Sequence, residues 1–213
     1  MPSTSEVGHA KNVANLQKLT EQVITFTNYE PPVDNLKVTN LQTLYITAST
    51  KLSEVDDKRN VNKNAITLRQ SAFENLKSTS TKIINHLEIL GLPQGTIDQA
   101  KSLNRVIQGG QKKSTTPPGE NGNPTPTVST SRQSYTQQAE NFGILLQLLA
   151  TIPSYAPNED DLKLVNLNDY KDSLVSSTQS VDQTEAEFNT KLIERENLLY
   201  ADGTRHIFYC PKC

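Results

Sequence analysis

The residues best equipped for chemistry stand at the end of the chain, in Cys210-Pro-Lys-Cys213, with His206 four positions upstream. A CPxC turn is one knuckle of a zinc ribbon, because two thiolates on a tight turn can share one tetrahedral metal. Zinc takes four ligands, and no second CxxC exists. His206 offers a third donor, and a dimer could bring two pairs together. A metal-dependent assembly through Cys210, Cys213 and His206 is therefore an alternative reading. It predicts zinc in the purified protein, lost on Cys210→Ser. A thioredoxin-like redox role would need a strand-to-helix setting, which the sequence does not provide. His9 and His86 are scattered, and no His-x-x-x-His or Glu-x-x-His pair supports a metal site inside a bundle. Gly109-Gly-Gln-Lys-Lys-Ser-Thr115 faintly echoes a phosphate loop. It lacks a glycine directly before the lysine and follows a helical pattern rather than a strand, so a linker is the better reading. No nucleophile–base set, carboxylate dyad or aromatic–basic nucleic-acid surface is visible. An enzyme is not expected, no cofactor is implied, and no catalytic or metal residue is assigned.

The elements that would have to position any site are built around a stretch that occurs twice. Tyr29-Glu-Pro-Pro-Val-Asp-Asn-Leu-Lys-Val-Thr-Asn-Leu41 aligns without a gap on Tyr155-Ala-Pro-Asn-Glu-Asp-Asp-Leu-Lys-Leu-Val-Asn-Leu167, 126 positions later. Tyr, Pro, Asp, Leu, Lys, Asn and Leu recur in register. Tyr29, Pro31, Tyr155 and Pro157 are thus assigned to a structural turn. Its tyrosine is expected to lay its ring on a hairpin while its hydroxyl reaches solvent or a backbone carbonyl. The match continues through Val55-Asp56 on Val181-Asp182 and Arg69 on Arg195. The two arginines fall on the apolar seam, and a paired polar layer that sets register is one reading of them. Unchanged stability and oligomeric state in Arg69→Leu would count against that layer.

Before the first turn, Val13, Leu16, Leu19, Val23 and Phe26 recur at three- and four-residue spacing, one face of a helix ending near Asn28. Pro31-Pro32 stops it, since proline has no amide to donate inside a helix. From about residue 35 to 90 the three–four alternation never loses phase, and one long helix is predicted, starting near Asp34. Any break is expected in the polar patch at 56–64, or at 182–190 in the second copy. Gly91-Leu-Pro-Gln-Gly95 ends that helix, and Thr96 is the expected cap of a short one carrying Ile97, Ala100, Leu103 and Ile107. The second copy repeats the plan. A helix from about 131 to 151 carries Phe142, Leu145, Leu146, Leu149 and Ile152, and a long one, capped by Asn158, carries Leu167, Leu174, Val181 and Leu199.

These elements divide the chain into a first hairpin with its short helix (9–108), a Pro/Gly/Ser/Thr linker expected to be flexible (109–130), a second hairpin (131–204) and an aberrant tail (205–213). An isolated hairpin leaves its seam wet, so the two repeats are expected to pack as one bundle. The predicted fold is all-α: an elongated four-helix bundle of two duplicated helical hairpins, each a short helix, a Tyr-x-Pro turn and a long helix.

The tail departs from this plan. By the 126-residue offset, the seam positions Ser80, Ile83, Ile84 and Leu87 become 206, 209, 210 and 213. One extra base at the Arg205 codon would let the shifted frame read Gly-Ile-Ser-Phe-Ile-Ala-Gln-Asn-Val. That reading puts Ile, Ile, Ala and Val at those four positions. The tail is accordingly expected to be a frameshifted end, which resequencing the source DNA there would test. Three runs carry a resemblance: Ala100-Lys-Ser-Leu-Asn-Arg-Val-Ile-Gln-Gly109, Tyr155-x-Pro157-Asn-Glu-Asp-Asp-Leu-Lys163 and Arg195-Glu-Asn-Leu-Leu-Tyr-Ala-Asp-Gly-Thr204. Over most of residues 10–204 the chain resembles a family of uncharacterised all-helical proteins of Bacteroidetes. The resemblance implies a further helix after the Thr204 position and no CxxC; it brings no known activity and no functional residues.

Composition agrees with narrow seams rather than a thick core: 34% hydrophobic, 6% aromatic, no Trp. A net charge of −2 gives no strong pull toward nucleic acid or anionic membrane. The N-terminus lacks the pattern of a secretory signal. The apolar run Phe142–Ile152 is shorter than the roughly 20 residues a span requires, although a membrane-acting protein that exposes this run is a further alternative, to be tested by liposome leakage. The expected function is a non-enzymatic structural or protein-interaction module, cytoplasmic, whose partner is another protein or a second copy.

Overall fold

The computed structural model describes residues 8–109 and 133–200. Residues 110–130 of the expected linker, and the tail with His206, Cys210 and Cys213, lie outside the described residues. Among the described residues every regular element is helical, and the protein is an all-α helical bundle. The order is α1 (His9–Ile24), a 3-10 turn (Asp34–Leu36), α2 (Val38–Glu74), α3 (Leu76–Ile89), α4 (Gln94–Gln108), α5 (Tyr135–Ala150), a second 3-10 turn (Asp160–Leu162) and α6 (Leu164–Tyr200).

The duplicated stretch governs how the long helices begin. Neither starts at the aspartate. In each copy Asp-x-Leu forms a 3-10 turn, and the helix proper opens two residues later. The long helices open at matching positions of the 126-residue offset, Val38 on Leu164.

The first long helix is not continuous to residue 90. It is interrupted at Asn75, whereas the polar stretch 56–64 is unbroken helix. Asparagine is a weak helix former whose short amide competes for backbone groups. The Ser78 hydroxyl donates to the Asn75 carbonyl at 2.9 Å, beside the Thr79 amide at the same distance. Gly91 follows α3 at φ +64, a left-handed position that ends the helix. α4 opens on Pro93 rather than Thr96, which lies inside it and gives its amide to the Pro93 carbonyl at 3.0 Å. α5 opens at Tyr135, because the Ser134 side chain accepts from the Gln137 amide at 3.2 Å.

The described chain falls into two compact units. The first holds residues 8–64 and 182–200, the second 65–109 and 133–181. These boundaries cut across the sequence copies, for each unit draws on both. In the first, α1, the first turn and the opening half of α2 enclose Val13, Leu16, Leu41 and Ala48, together with Leu199 from the end of α6. In the second, α5, the second turn and the start of α6 enclose Phe142, Leu145, Leu149, Leu167 and Leu174. Here α4 packs on α5, and α3 packs on α4 and on the second 3-10 turn. Leu76, Ile83, Leu87, Ala100 and Ile107 thereby join the same buried cluster.

Candidate functional site

Each proline turn is closed by the same bonds. Tyr29 donates its hydroxyl to the Leu36 carbonyl at 2.9 Å, and Tyr155 donates to the Leu162 carbonyl at 2.8 Å. Asn40 gives its side-chain amide to the Asp34 carbonyl at 2.7 Å; Asn166 gives its amide to the Asp160 carbonyl at 2.6 Å. Lys37 pairs with Asp34, and Lys163 with Asp160, each at 2.6 Å. The recurring residue types are thus those whose side chains tie the turn to its own backbone. The prolines supply fixed φ between short helix and turn.

The two turns differ in surroundings. Tyr155 is buried and meets the edge of His86, ring centroids 5.3 Å apart, while Tyr29 is half-buried. Burial, with Asp161 and Glu159 nearby, pushes the Tyr155 phenol up to about 12. Burial does the same to Tyr170, whose hydroxyl donates to the Ala72 carbonyl at 2.8 Å. A neutral phenol held above its unfolded pKa of about 10 contributes stability in full below that pH, and the contribution is lost as pH rises through the folded value. Two of the seven tyrosines are therefore expected to ionise late in a titration followed at the phenolate absorbance, and stability should decline across that same alkaline window. All seven ionising together with the fold intact would refute the assignment.

Arg69 and Arg195, equivalent in sequence, do not pair with an acid across the bundle. The Arg69 guanidinium lies over the Tyr135 ring at 4.3 Å from its centroid, and the edge of that ring meets Phe73 at 4.8 Å. Arg195 pairs with Glu196 at 2.7 Å. The position equivalent to Tyr135 is His9, which lies 3.4 Å from the Glu196 carboxylate and 2.9 Å from the Tyr200 hydroxyl. At matching places one unit thus uses a cation over a ring, the other an Arg–Glu–His chain. In both, the arginine Nε is buried without a hydrogen bond.

A charge cluster that sequence reasoning missed lies between α2 and α6 in the first unit. Lys51 contacts Glu54 at 3.0 Å and Glu194 at 2.8 Å; Lys191 contacts Glu54 at 3.1 Å and Glu194 at 2.9 Å. The signal was a Lys-x-x-Glu on each helix. The hydrogen bonds that the lysines donate hold both carboxyls below their usual range and both lysines above theirs. The cluster therefore supports the fold at neutral pH and is lost as pH falls through the carboxylate range or rises through the lysine range. Solvent screening keeps such exposed pairs weak. Further along, Lys58 bonds Glu187 at 2.7 Å, Thr184 gives its hydroxyl to Asn62 at 3.1 Å, and Arg59 lies over Phe188. Partner numbers fall on α6 as they rise on α2, so the two segments run antiparallel in this unit. The polar stretch at 56–64 is where they meet through charged and amide side chains.

These groups hold one another through hydrogen bonds and ion pairs. Among the described residues no group of three or more His, Cys, Asp or Glu could hold a metal ion, and no helix is long and apolar enough to cross a membrane. Gly109 closes α4 at φ +88; the rest of the phosphate-loop echo lies outside the described residues. No family model, curated protein or solved structure matches the chain.

Proposed function

We propose that the chain is a non-enzymatic helical module that acts by binding another protein, a duplicated hairpin whose two copies pack as one bundle with coiled-coil-like seams, working in the cytoplasm as a member of the all-helical Bacteroidetes family it resembles. The observation that carries the reading is how polar chemistry is spent. The duplicated Tyr, Asn, Asp and Lys side chains tie the turns, and the lysines and glutamates of α2 and α6 tie those helices together. What remains on the surface includes large apolar side chains, among them Leu19, Phe26, Ile46 and Leu68, the material of a recognition face. The matching starts of α2 and α6, and the matching bonds that close the two turns, support the duplication.

Crosslinking in cells of the source, followed by reconstitution from purified components, tests the reading. A partner protein that forms a complex of defined stoichiometry supports it. A chain that yields no complex on reconstitution with any crosslinked protein refutes it.

A further inference from the structure

The two units offer an internal comparison. At the 126-residue offset α1 corresponds to α5, and the positions that face the long helices are buried in both copies. Leu16 and Phe142, Val23 and Leu149, Leu41 and Leu167 are all closed to solvent. Two positions behave differently. Leu145 is 0% exposed and Ile152 8%, but their counterparts Leu19 and Phe26 are 41% and 61% exposed. Leu19 stands on α1 and Phe26 two residues past its end, where the Phe26 amide still bonds the Val23 carbonyl at 3.1 Å, and the two form an exposed stripe along the helix and its exit. The second unit differs at this stripe in having α4, which packs on α5 and contributes Ala100 and Ile107, both 0% exposed, to the cluster of Leu145 and Ile152.

We infer that the stripe of Leu19 and Phe26 is a docking site for an amphipathic helix of a partner protein, with apolar residues spaced as Ile97, Ala100, Leu103 and Ile107 are on α4. This deepens the interaction-module reading and rests on it. The occupant follows from the comparison: the same face, on the same short helix beside the same turn, takes a helix of that pattern in the other unit. A second copy is a poor occupant, because its α4 is already committed to its own α5.

The probe is a fluorescein-labelled peptide of residues 94–108, titrated with the full chain. Saturable binding is expected, weakened about tenfold or more by Leu19→Asp or by Phe26→Ser. Circular-dichroism melting should be unchanged, since both side chains are exposed. Binding that ignores both substitutions, or no saturable binding, overturns the site. So does a concentration-dependent dimer that Leu19→Asp dissociates, which would make a second copy the occupant. Peptide binding that appears only after truncation at Tyr200 likewise overturns it, in favour of the chain's own last residues. The module reading can survive any of these results, because its partner, found by crosslinking, could use another face.

Discussion

Leu145→Ala is expected to lower the unfolding free energy of the second unit by about 2–5 kcal/mol, the range for deleting three carbons from a packed core. Its sequence equivalent, Leu19→Ala, is expected to change stability by less than about 1 kcal/mol. Leu145 has no solvent exposure, so its removal loses the transfer free energy and leaves a cavity among Phe142, Leu149 and the α4 side chains. Leu19 is 41% exposed, so cutting it back removes a partly covered side chain and leaves no closed cavity. Urea denaturation of the two variants, followed by circular dichroism, gives the comparison directly. Equal losses would mean that the α1 stripe is covered after all, and the docking inference would fall with it.

Tyr155→Ala is the second large effect. The ring is buried against His86, and its hydroxyl satisfies the Leu162 carbonyl at the entry to α6. Removing a buried aromatic costs about 3–5 kcal/mol, and the orphaned carbonyl adds to the loss. Tyr155→Phe isolates the hydroxyl and should cost about 1 kcal/mol. Tyr29→Ala should cost clearly less than Tyr155→Ala, because its ring is only half-buried. Thermal melts of the four proteins read these differences; a Tyr29 variant as damaged as the Tyr155 variant would show that the two turns carry equal weight.

The periodicity made the helical class legible, and the repeated stretch made the turns legible. Three- and four-residue spacing reports which face of a helix is apolar, and the seam positions Leu41, Ala48 and Val55 are buried as their spacing requires. Periodicity does not report what lies opposite. Leu19 and Phe26 sit in phase with Leu16 and Val23, yet they are exposed, whereas their equivalents Leu145 and Ile152 share a cluster with Ala100 and Ile107 of α4, an element that lies outside the repeated short helix and turn. The interruption at Asn75 was missed for a related reason. The polar run at 56–64 looked like the weak point, but its side chains answer Glu187, Thr184 and Phe188 on α6. A single asparagine between Glu74 and Leu76 leaves the phase of the pattern intact and so gives no warning. The Lys51–Glu54–Lys191–Glu194 cluster was written in the sequence only as two ordinary i,i+3 pairs.

The division into units has a consequence for the order in which the protein can be made. The second unit is a single stretch, Ala65–Val181, so all of its partners have left the ribosome once the chain has grown a little past that point. The first unit joins the two stretches that flank the second in sequence. Val13 and Leu16 cannot complete their cluster until Leu199 has been synthesised. Domains tend to form as soon as their residues emerge. Stalled nascent chains in which residue 181 but not residue 199 has cleared the exit tunnel should therefore resist protease over the second unit while remaining cleavable in α1; equal protection of both would contradict this. During translation α1 thus finds its core later than the second unit does, and its apolar side chains stay exposed to chaperones and to neighbouring nascent chains until Leu199 emerges.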